Sequence, residues 1–222
     1  MSSYDDYCQH TMTSSSRDRL VHAARTLFAE RGFAATTVGD IEERAGFTRR
    51  GGTLYRHFAS KDEILDAVID THVAAADASR SISALLPLQD RRSELTLIAR
   101  LLLAELDREE AIHRILDKDG AAVDRARKRM TVGVLHAGYR HLVELFRPWL
   151  PDDLDRAEAE ALVVVALGGL VNLRRNRWTF GAVPLDVDDE RAIRAWVTLV
   201  DAALHTLAGG VRPRGAAVDS SL

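Results

Sequence analysis

The side chains in this sequence that are best suited to chemistry lie close together, between Thr36 and Lys61. That stretch carries two adjacent arginines, Arg49 and Arg50, and a Tyr-Arg-His run at residues 55–57. Guanidinium groups pair with phosphates and with the edge of guanine, and hydroxyl groups bond phosphate oxygens. These residue types therefore indicate contact with a nucleic acid.

Two short helices must hold these side chains in place. Thr37 and Asp40 stand in the register of a capping box, which predicts the start of the first helix. Val38, Ile41 and Ala45 follow at the spacing of one buried helix face. Three apolar residues are predicted to anchor the second helix: Leu54, Tyr55 and Phe58. This is the layout of a helix-turn-helix, whose second helix enters the DNA major groove.

Charge is unevenly distributed along the chain. The 222 residues have a formal net charge of -3, but residues 17–61 hold nine Lys/Arg against five Asp/Glu, which is +4, so the remainder carries -7. A basic segment on an acidic body indicates that only this segment meets polyanions. Because the whole chain is slightly acidic, it is not a protein that coats nucleic acid with its entire surface.

Cysteine usage argues against disulfide and metal chemistry. Cys8 is the only cysteine in the sequence, so neither an internal disulfide nor a cysteine metal cluster can form, which fits the reducing cytosol. His136 and His141 are five residues apart, off the spacing of a helical metal pair. We expect no metal, no cofactor and a cytoplasmic location.

The whole chain is predicted to be all-α. Helical patterns continue from residue 17 to about residue 208, and no segment has the alternation of a strand. One short helix, Ala111–Asp117, is predicted in the second half of the chain. Three longer helices follow it: Val123–Phe146, Asp155–Asn176 and Asp188–Ala208. The apolar run Ala161–Val171 is far shorter than the roughly 20 residues of a membrane span. A helix that is apolar on all sides must be buried on all sides, either in the centre of its domain or against a partner subunit.

The first part of the chain resembles the TetR family of bacterial transcriptional regulators. The resemblance is carried by Thr36-Thr37-Val38, Ala45-Gly46, the run Thr53–Phe58 and the run Ser60–Leu65, and it covers roughly residues 17–66. It implies a repressor that binds a palindromic operator on double-stranded DNA as a homodimer, and that a small-molecule effector releases. The implied homodimer is joined by the last two long helices.

The resemblance divides the chain into four parts. Residues 17–66 are the predicted three-helix helix-turn-helix DNA-binding domain, and residues 67–210 are the predicted helical effector-binding and dimerisation domain. Residues 1–16 are predicted to be a disordered tail, and residues 211–222 a mobile tail. The boundary between the two domains is expected inside the fourth helix.

The sequence departs from the family at one point. Six residues stand between Gly46 and Thr53, two more than the family has. Two extra residues inside a helix would rotate everything after them by about 200°, and glycines suit turns better than helix interiors. We therefore expect a lengthened turn or a distorted helix start. Which of Arg49, Arg50 and Thr53 reaches base edges stays open.

Nine residues are candidates for DNA contact, by type and by position within the motif: Thr37, Thr48, Arg49, Arg50, Thr53, Tyr55, Arg56, His57 and Lys61. Tyr55 and His57 resemble the family's phosphate-contacting pair. Simpler roles stay open for some of them. Thr53 could only cap its helix, Tyr55 could be half core, and Lys61 could be an ordinary surface lysine.

Six polar or aromatic residues within or beside apolar helices are candidates for effector binding: His113, His136, Tyr139, Asn172, Trp178 and Phe180. Ligand pockets combine an apolar lining with a few polar groups, although each of these residues could equally belong to a core or an interface. The run Arg174–Arg177 could bind an anionic effector, but a charge cluster at a helix end explains it better.

Two other classes of function compete with DNA-dependent regulation. An all-helical enzyme is one, but the sequence contains no nucleophile elbow, phosphate loop or metal motif. A non-DNA interaction module on the same fold is the other, and the two extra residues in the turn are its only support.

Overall fold

The structure is a computed structural model, which describes residues 15–83, 88, 90–118 and 120–209. The predicted mobile tail at 211–222 and all but two residues of the predicted tail at 1–16 lie outside these ranges. Within them the chain is helical and contains no strand, which confirms the all-α prediction. No helix in the described ranges is both long enough and apolar enough to span a membrane.

Eight α-helices follow one another along the described residues: α1 (Ser16–Arg31), α2 (Val38–Arg44), α3 (Lys61–Ser83), α4 (Arg91–Lys118), α5 (Asp124–Met130), α6 (Ala137–Phe146), α7 (Arg156–Phe180) and α8 (Asp189–Ala208). A single 3₁₀ turn, Leu54–Arg56, lies between α2 and α3. A π-helical segment, Thr131–His136, joins α5 to α6.

Local side-chain caps set several of these helix starts. Ser15 and Asp18 form a capping box at α1, and Thr37 and Asp40 form the predicted one at α2. Asp188 accepts a hydrogen bond from the backbone N–H of Arg191 at the start of α8. Such caps satisfy backbone N–H groups that have no partner inside the helix. This is why the predicted starts of α2 and α8 are close to the observed ones.

One predicted helix is part of a longer one, and another has the predicted bounds but is not α-helical throughout. Ala111–Asp117 is not a separate helix, because α4 runs without a break from Arg91 to Lys118. No glycine or proline interrupts that stretch, so nothing ends the helix earlier. The predicted helix Val123–Phe146 is interrupted by the π-helical segment, in which Gly133 lies so close to Val73 that a Cβ atom on the glycine would be 3.0 Å from a valine methyl.

The chain divides into two compact units, residues 1–79 with 108–136, and residues 80–107 with 137–222. The first has a core built from α1, α2, the 3₁₀ turn, α3 and the C-terminal part of α4, with these residues at its centre: Leu20, Phe28, Ile41, Leu54, Ile64, Ile69, Ile112 and Ile115. These compact units do not test the prediction that a DNA-binding domain ends, and an effector-binding domain begins, after residue 66.

The second unit packs α6, α7, α8 and the N-terminal part of α4 around another core. Its central residues include Leu95, Phe146, Leu167, Trp196 and Leu204. The indole N–H of Trp196 donates to the carbonyl of Ala166, which ties α8 to α7. The core is therefore shared by all four helices.

Arg174 on α7 is the largest fully buried side chain among the residues that the structure describes, with 2% of its surface exposed. Its guanidinium makes two hydrogen bonds of 2.7 Å to the carboxylate of Asp189 and a 2.6 Å contact from Nε to Asp107. The hydrogen bond from Arg174 holds the pKa of Asp189 below its usual value. Arg174 is thus paired with carboxylates of the same chain. Of the two predicted roles, a charge cluster and a site for an anionic effector, these ion pairs favour the charge cluster.

The apolar stretch of α7 is only half buried within the chain. Val163, Leu167 and Leu170 face the core, while Val165 is 78% exposed. Of the two predicted environments for this stretch, burial in the centre of its own domain is therefore wrong. α7 also continues past the predicted end to Phe180, where Gly181 takes a left-handed conformation with φ of 69° and ends the helix.

Candidate nucleic-acid interface

The start of α2 combines a cap with an exposed hydroxyl. Thr37 Oγ1 donates to Asp40 Oδ2 over 2.7 Å and accepts from the backbone N–H of Asp40 over 3.2 Å. The hydrogen bond from the Thr37 hydroxyl, followed by the one from its backbone N–H, lowers the pKa of Asp40. The second oxygen of that carboxylate accepts from Arg49 Nη2 over 2.9 Å. Asp40 therefore links the cap of α2 to an arginine nine residues later.

The end of α2 is a Schellman motif. The N–H of Phe47 donates to Glu42 O over 2.8 Å, and the N–H of Gly46 donates to Glu43 O over 3.0 Å. Gly46 has a φ of 79°, the left-handed conformation that glycine adopts most readily. The α2 helix therefore ends where the predicted turn begins.

Residues Gly46–Thr53 form the connection that we name the reading turn. Its middle is a β-turn in which the N–H of Gly51 donates to Thr48 O over 2.9 Å. Arg50, the third residue of that β-turn, has a φ of 59°. A β-turn with positive φ at this position usually has glycine or asparagine there, and a residue with a Cβ costs roughly 1 kcal/mol more.

The predicted second helix is reduced to the 3₁₀ turn Leu54–Arg56. The expected lengthening of the turn is confirmed, because Arg50 and Gly52, with φ of 59° and 73°, cannot continue a right-handed helix. Leu54 and Phe58 are buried, as predicted for anchors of this segment. Tyr55 is not an anchor, since 61% of its surface is exposed.

Seven of the nine predicted DNA-contact residues are exposed on this part of the first unit: Thr37, Thr48, Arg49, Arg50, Tyr55, Arg56 and His57. Thr53 is buried, and its hydroxyl accepts a hydrogen bond from Arg56 Nη2 over 2.9 Å. The Thr53 side chain makes no capping hydrogen bond, so the capping alternative is wrong. Contact of these nine residues with DNA stays a prediction.

Lys61 is the ninth predicted contact, and its ammonium group has partners within the chain. The Nζ atom donates to Phe33 O over 2.7 Å and to Thr36 O over 3.0 Å, and it lies 4.3 Å from the centre of the Phe33 ring. Lys61 therefore fastens the segment before α2 to the start of α3. This is a more specific role than that of an ordinary surface lysine.

Sequence reasoning missed two residues that shape this surface. Glu42 is fully buried in α2 and accepts the N–H of Leu54 at Oε1 over 2.9 Å. Arg19 of α1 donates to Ala45 O and lies over the Phe47 ring at 4.4 Å. A signal for Glu42 was present, because it stands four residues after Val38 on the apolar face of α2.

The six predicted effector residues are divided between the two units. His113 and His136 belong to the first unit, and the imidazole of His113 lies 3.4 Å from the carboxylate of Glu109. In the second unit, Tyr139 and Trp178 are partly buried against the core. Asn172 and Phe180 are exposed on α7.

Comparisons with known proteins agree with this arrangement. The family model described as bacterial regulatory proteins of the TetR family matches residues 20–68. The HTH-type transcriptional regulator TtgR of Pseudomonas putida is 31% identical over 192 residues, which cover 82% of this chain and 87% of TtgR. The HTH-type transcriptional repressor KstR2 of Mycolicibacterium smegmatis is 46% identical over 56 residues, covering 25% of this chain and 26% of the repressor.

The solved structures show the same fold. A transcriptional regulator from Rhodococcus sp. superposes with a TM-score of 0.63 at 21% identity, over 86% of this chain and 97% of that one. The match to the family model and the identity to TtgR over most of both chains place this protein among the DNA-binding transcriptional regulators. The chain belongs to the TetR family.

Proposed function

We propose that this regulator is a repressor, which binds a palindromic operator as a homodimer and leaves it when a small-molecule effector binds. The observation that carries the DNA-binding part is the exposed surface around the reading turn, where Arg50, Tyr55 and His57 lie on a buried scaffold. Repression is proposed because the repressor KstR2 is 46% identical to this chain over 56 residues.

The proposed contacts divide by chemistry. The hydroxyls of Thr37, Thr48 and Tyr55 and the imidazole of His57 are proposed to bond phosphate oxygens, which fixes the register on the duplex. The arginines of the reading turn supply the groups that can distinguish guanine. Thr53, Arg56 and Lys61 are proposed to act at the same surface through the hydrogen bonds that they already make.

The proposed homodimer rests on the uncovered faces of α7 and α8. Val165 on α7 and Leu199 on α8 are 78% and 72% exposed, and exposed alanines lie four residues before each, at Ala161 and Ala195. Exposed large apolar side chains on two helices that pack together are typical of an interaction site. The same face on a second copy would cover it with two-fold symmetry.

Effector control is proposed to work as a shift between two conformations of the dimer. An effector releases DNA only if it binds more tightly to the conformation that fits DNA poorly. The six candidate effector residues stay our proposal for where it binds. We also propose that the protein has no catalytic activity and works in the cytoplasm, where its DNA is.

Nuclease footprinting of the DNA upstream of the protein's own gene tests this proposal. We expect one protected segment with two-fold sequence symmetry and half-sites about 34–36 Å apart or a multiple of that spacing, because each subunit of the dimer places one reading turn in the major groove. Protection that spreads evenly over the fragment, or no protection at micromolar protein, would contradict it.

A further inference from the structure

The reading turn is fastened to the rest of the first unit at its start. Arg19 of α1 donates to Ala45 O, and its guanidinium lies over the Phe47 ring at 4.4 Å. A Cβ atom on Gly46 would lie 2.7 Å from Arg19 Nη2, so no larger residue fits there without moving the arginine. The entry into the turn is therefore fixed by a side chain from another helix.

The middle of the turn is fastened through Arg49. Its guanidinium lies between two carboxylates of α2, 2.9 Å from Asp40 and 3.4 Å from Glu43. Its aliphatic part packs on Gly39, where an added Cβ would lie 3.1 Å from Arg49 Cγ. A glycine inside a helix is unfavourable, and here its small size lets the arginine lie flat on α2.

The end of the turn is fastened by Glu42. This carboxylate is fully buried and accepts the N–H of Leu54 over 2.9 Å. In a full helix starting earlier, that N–H would bond a backbone carbonyl of the preceding turn. The positive φ of Gly52 prevents such a helix, so a side chain of α2 supplies the acceptor.

Arg50 differs from the other arginines in or beside the reading turn. It is exposed, it has a φ of 59°, and its guanidinium makes no hydrogen bond or ion pair with any residue that the structure describes. Arg19, Arg49 and Arg56 all have partners within the chain. An ordered turn with one exposed arginine that has no partner among the described residues presents that guanidinium to a ligand.

We propose that Arg50 is the specificity-determining residue of this regulator and contacts a guanine edge, while Arg49 and Glu42 are positioning residues. This inference rests on the proposed binding to an operator. It means that a fastened turn, instead of the face of an α-helix, reads the major groove. Ordering the turn before binding lowers the entropy lost when Arg50 makes its contact.

Arg50→Ala tests the reading role, with operator DNA and scrambled DNA of equal length titrated in parallel over a range of salt. We expect the affinity for the operator to fall about ten- to hundredfold and the preference at one base pair per half-site to disappear. The affinity for scrambled DNA and the salt slope should stay unchanged, since no phosphate contact is lost. Arg114→Ala, which removes an exposed arginine of the same unit on α4, is the matched control and should bind as the wild type does.

Arg49→Ala and the pair Glu42→Ala and Glu42→Gln test the positioning role. Arg49→Ala should weaken operator binding about equally for every single-base operator variant, because it loosens the turn without removing a base contact. Glu42→Ala should do the same, and Glu42→Gln, which keeps an acceptor oxygen for Leu54, should restore most of the affinity. Because Arg49 lies on the surface, Arg49→Ala should fold. It therefore still tests whether the turn must be held in place if Glu42→Ala does not fold.

Three results would overturn the inference. The first is an Arg50→Ala protein that keeps full discrimination between operator variants. The second is an equal loss on operator and scrambled DNA with a salt slope smaller by about one, which identifies a phosphate contact. The third is loss of preference at a single base pair in Arg49→Ala. A wild-type protein with no preference for any operator would instead overturn the proposed function itself.

Discussion

Replacing Arg174 with alanine is expected to lower the free energy of unfolding by about 2–4 kcal/mol. The variant loses two hydrogen bonds to Asp189 and the contact with Asp107, and it leaves a cavity where the largest buried side chain was. This loss of stability is towards the low end for a broken buried ion pair, because the carboxylates of Asp107 and Asp189 keep access to water. Thermal unfolding followed by circular dichroism should show a melting temperature lower by roughly 5–10 °C.

The next residue on α7 provides the control. Arg175 is exposed, so Arg175→Ala should change the free energy of unfolding by no more than about 0.5 kcal/mol. Equal melting temperatures for Arg174→Ala and the wild type would show that the ion cluster does not stabilise the second unit.

The difference between wild type and Arg174→Ala should also depend on pH. Because the hydrogen bond from Arg174 lowers the pKa of Asp189 in the folded protein, the stabilisation is fully present above the usual aspartate pKa of about 3.9. It is lost as the pH falls below that value through the lower folded pKa. Urea titrations should therefore give a constant difference from pH 7 to about pH 5 and a shrinking one below about pH 4.

Placing charges on the exposed face of α7 and α8 is expected to abolish the homodimer. The double variant Val165→Asp, Leu199→Asp would bury two carboxylates without partners in the proposed interface, and unpaired buried charges are strongly unfavourable. Sedimentation equilibrium should give the mass of one chain for the variant and of two chains for the wild type. Because two linked reading turns bind more tightly than one, operator affinity should fall about a hundred- to ten-thousandfold.

A matched substitution separates this effect from general damage. Val132 is 62% exposed on the π-helical segment of the first unit, so Val132→Asp makes the same kind of substitution, with one charge instead of two, at a similar exposure outside the proposed interface. It should remain dimeric and bind the operator. A double variant that still sediments with the mass of two chains would contradict the proposed interface.

Much of the fold could be predicted because its determinants are local. The capping box at Thr37 and the apolar periodicity of α1 and α8 are visible within a few residues of sequence. The glycines and the two extra residues likewise predicted that the connection after α2 is a long turn. The separate helix predicted at Ala111–Asp117 is wrong, because no residue before it ends α4.

The candidate site was harder to predict, because contacts between distant residues shape it. The bond from Leu54 to Glu42 spans twelve residues, and the one from Arg19 to Ala45 spans 26. Sequence reasoning found the arginines of the reading turn but could not tell which of them is already paired. That distinction depends on how the turn folds back onto α2, where the guanidinium of Arg49 lies between the carboxylates of Asp40 and Glu43.

A mobility-shift titration tests the central claim most directly, namely that this chain binds a specific DNA sequence. Labelled DNA from upstream of its own gene is titrated with the purified wild-type protein at physiological salt, in competition with unlabelled copies of the same fragment or of a scrambled one. We predict that the scrambled competitor is at least about a thousandfold weaker, the usual margin between specific and non-specific binding. Equal competition by the two DNAs would contradict the account.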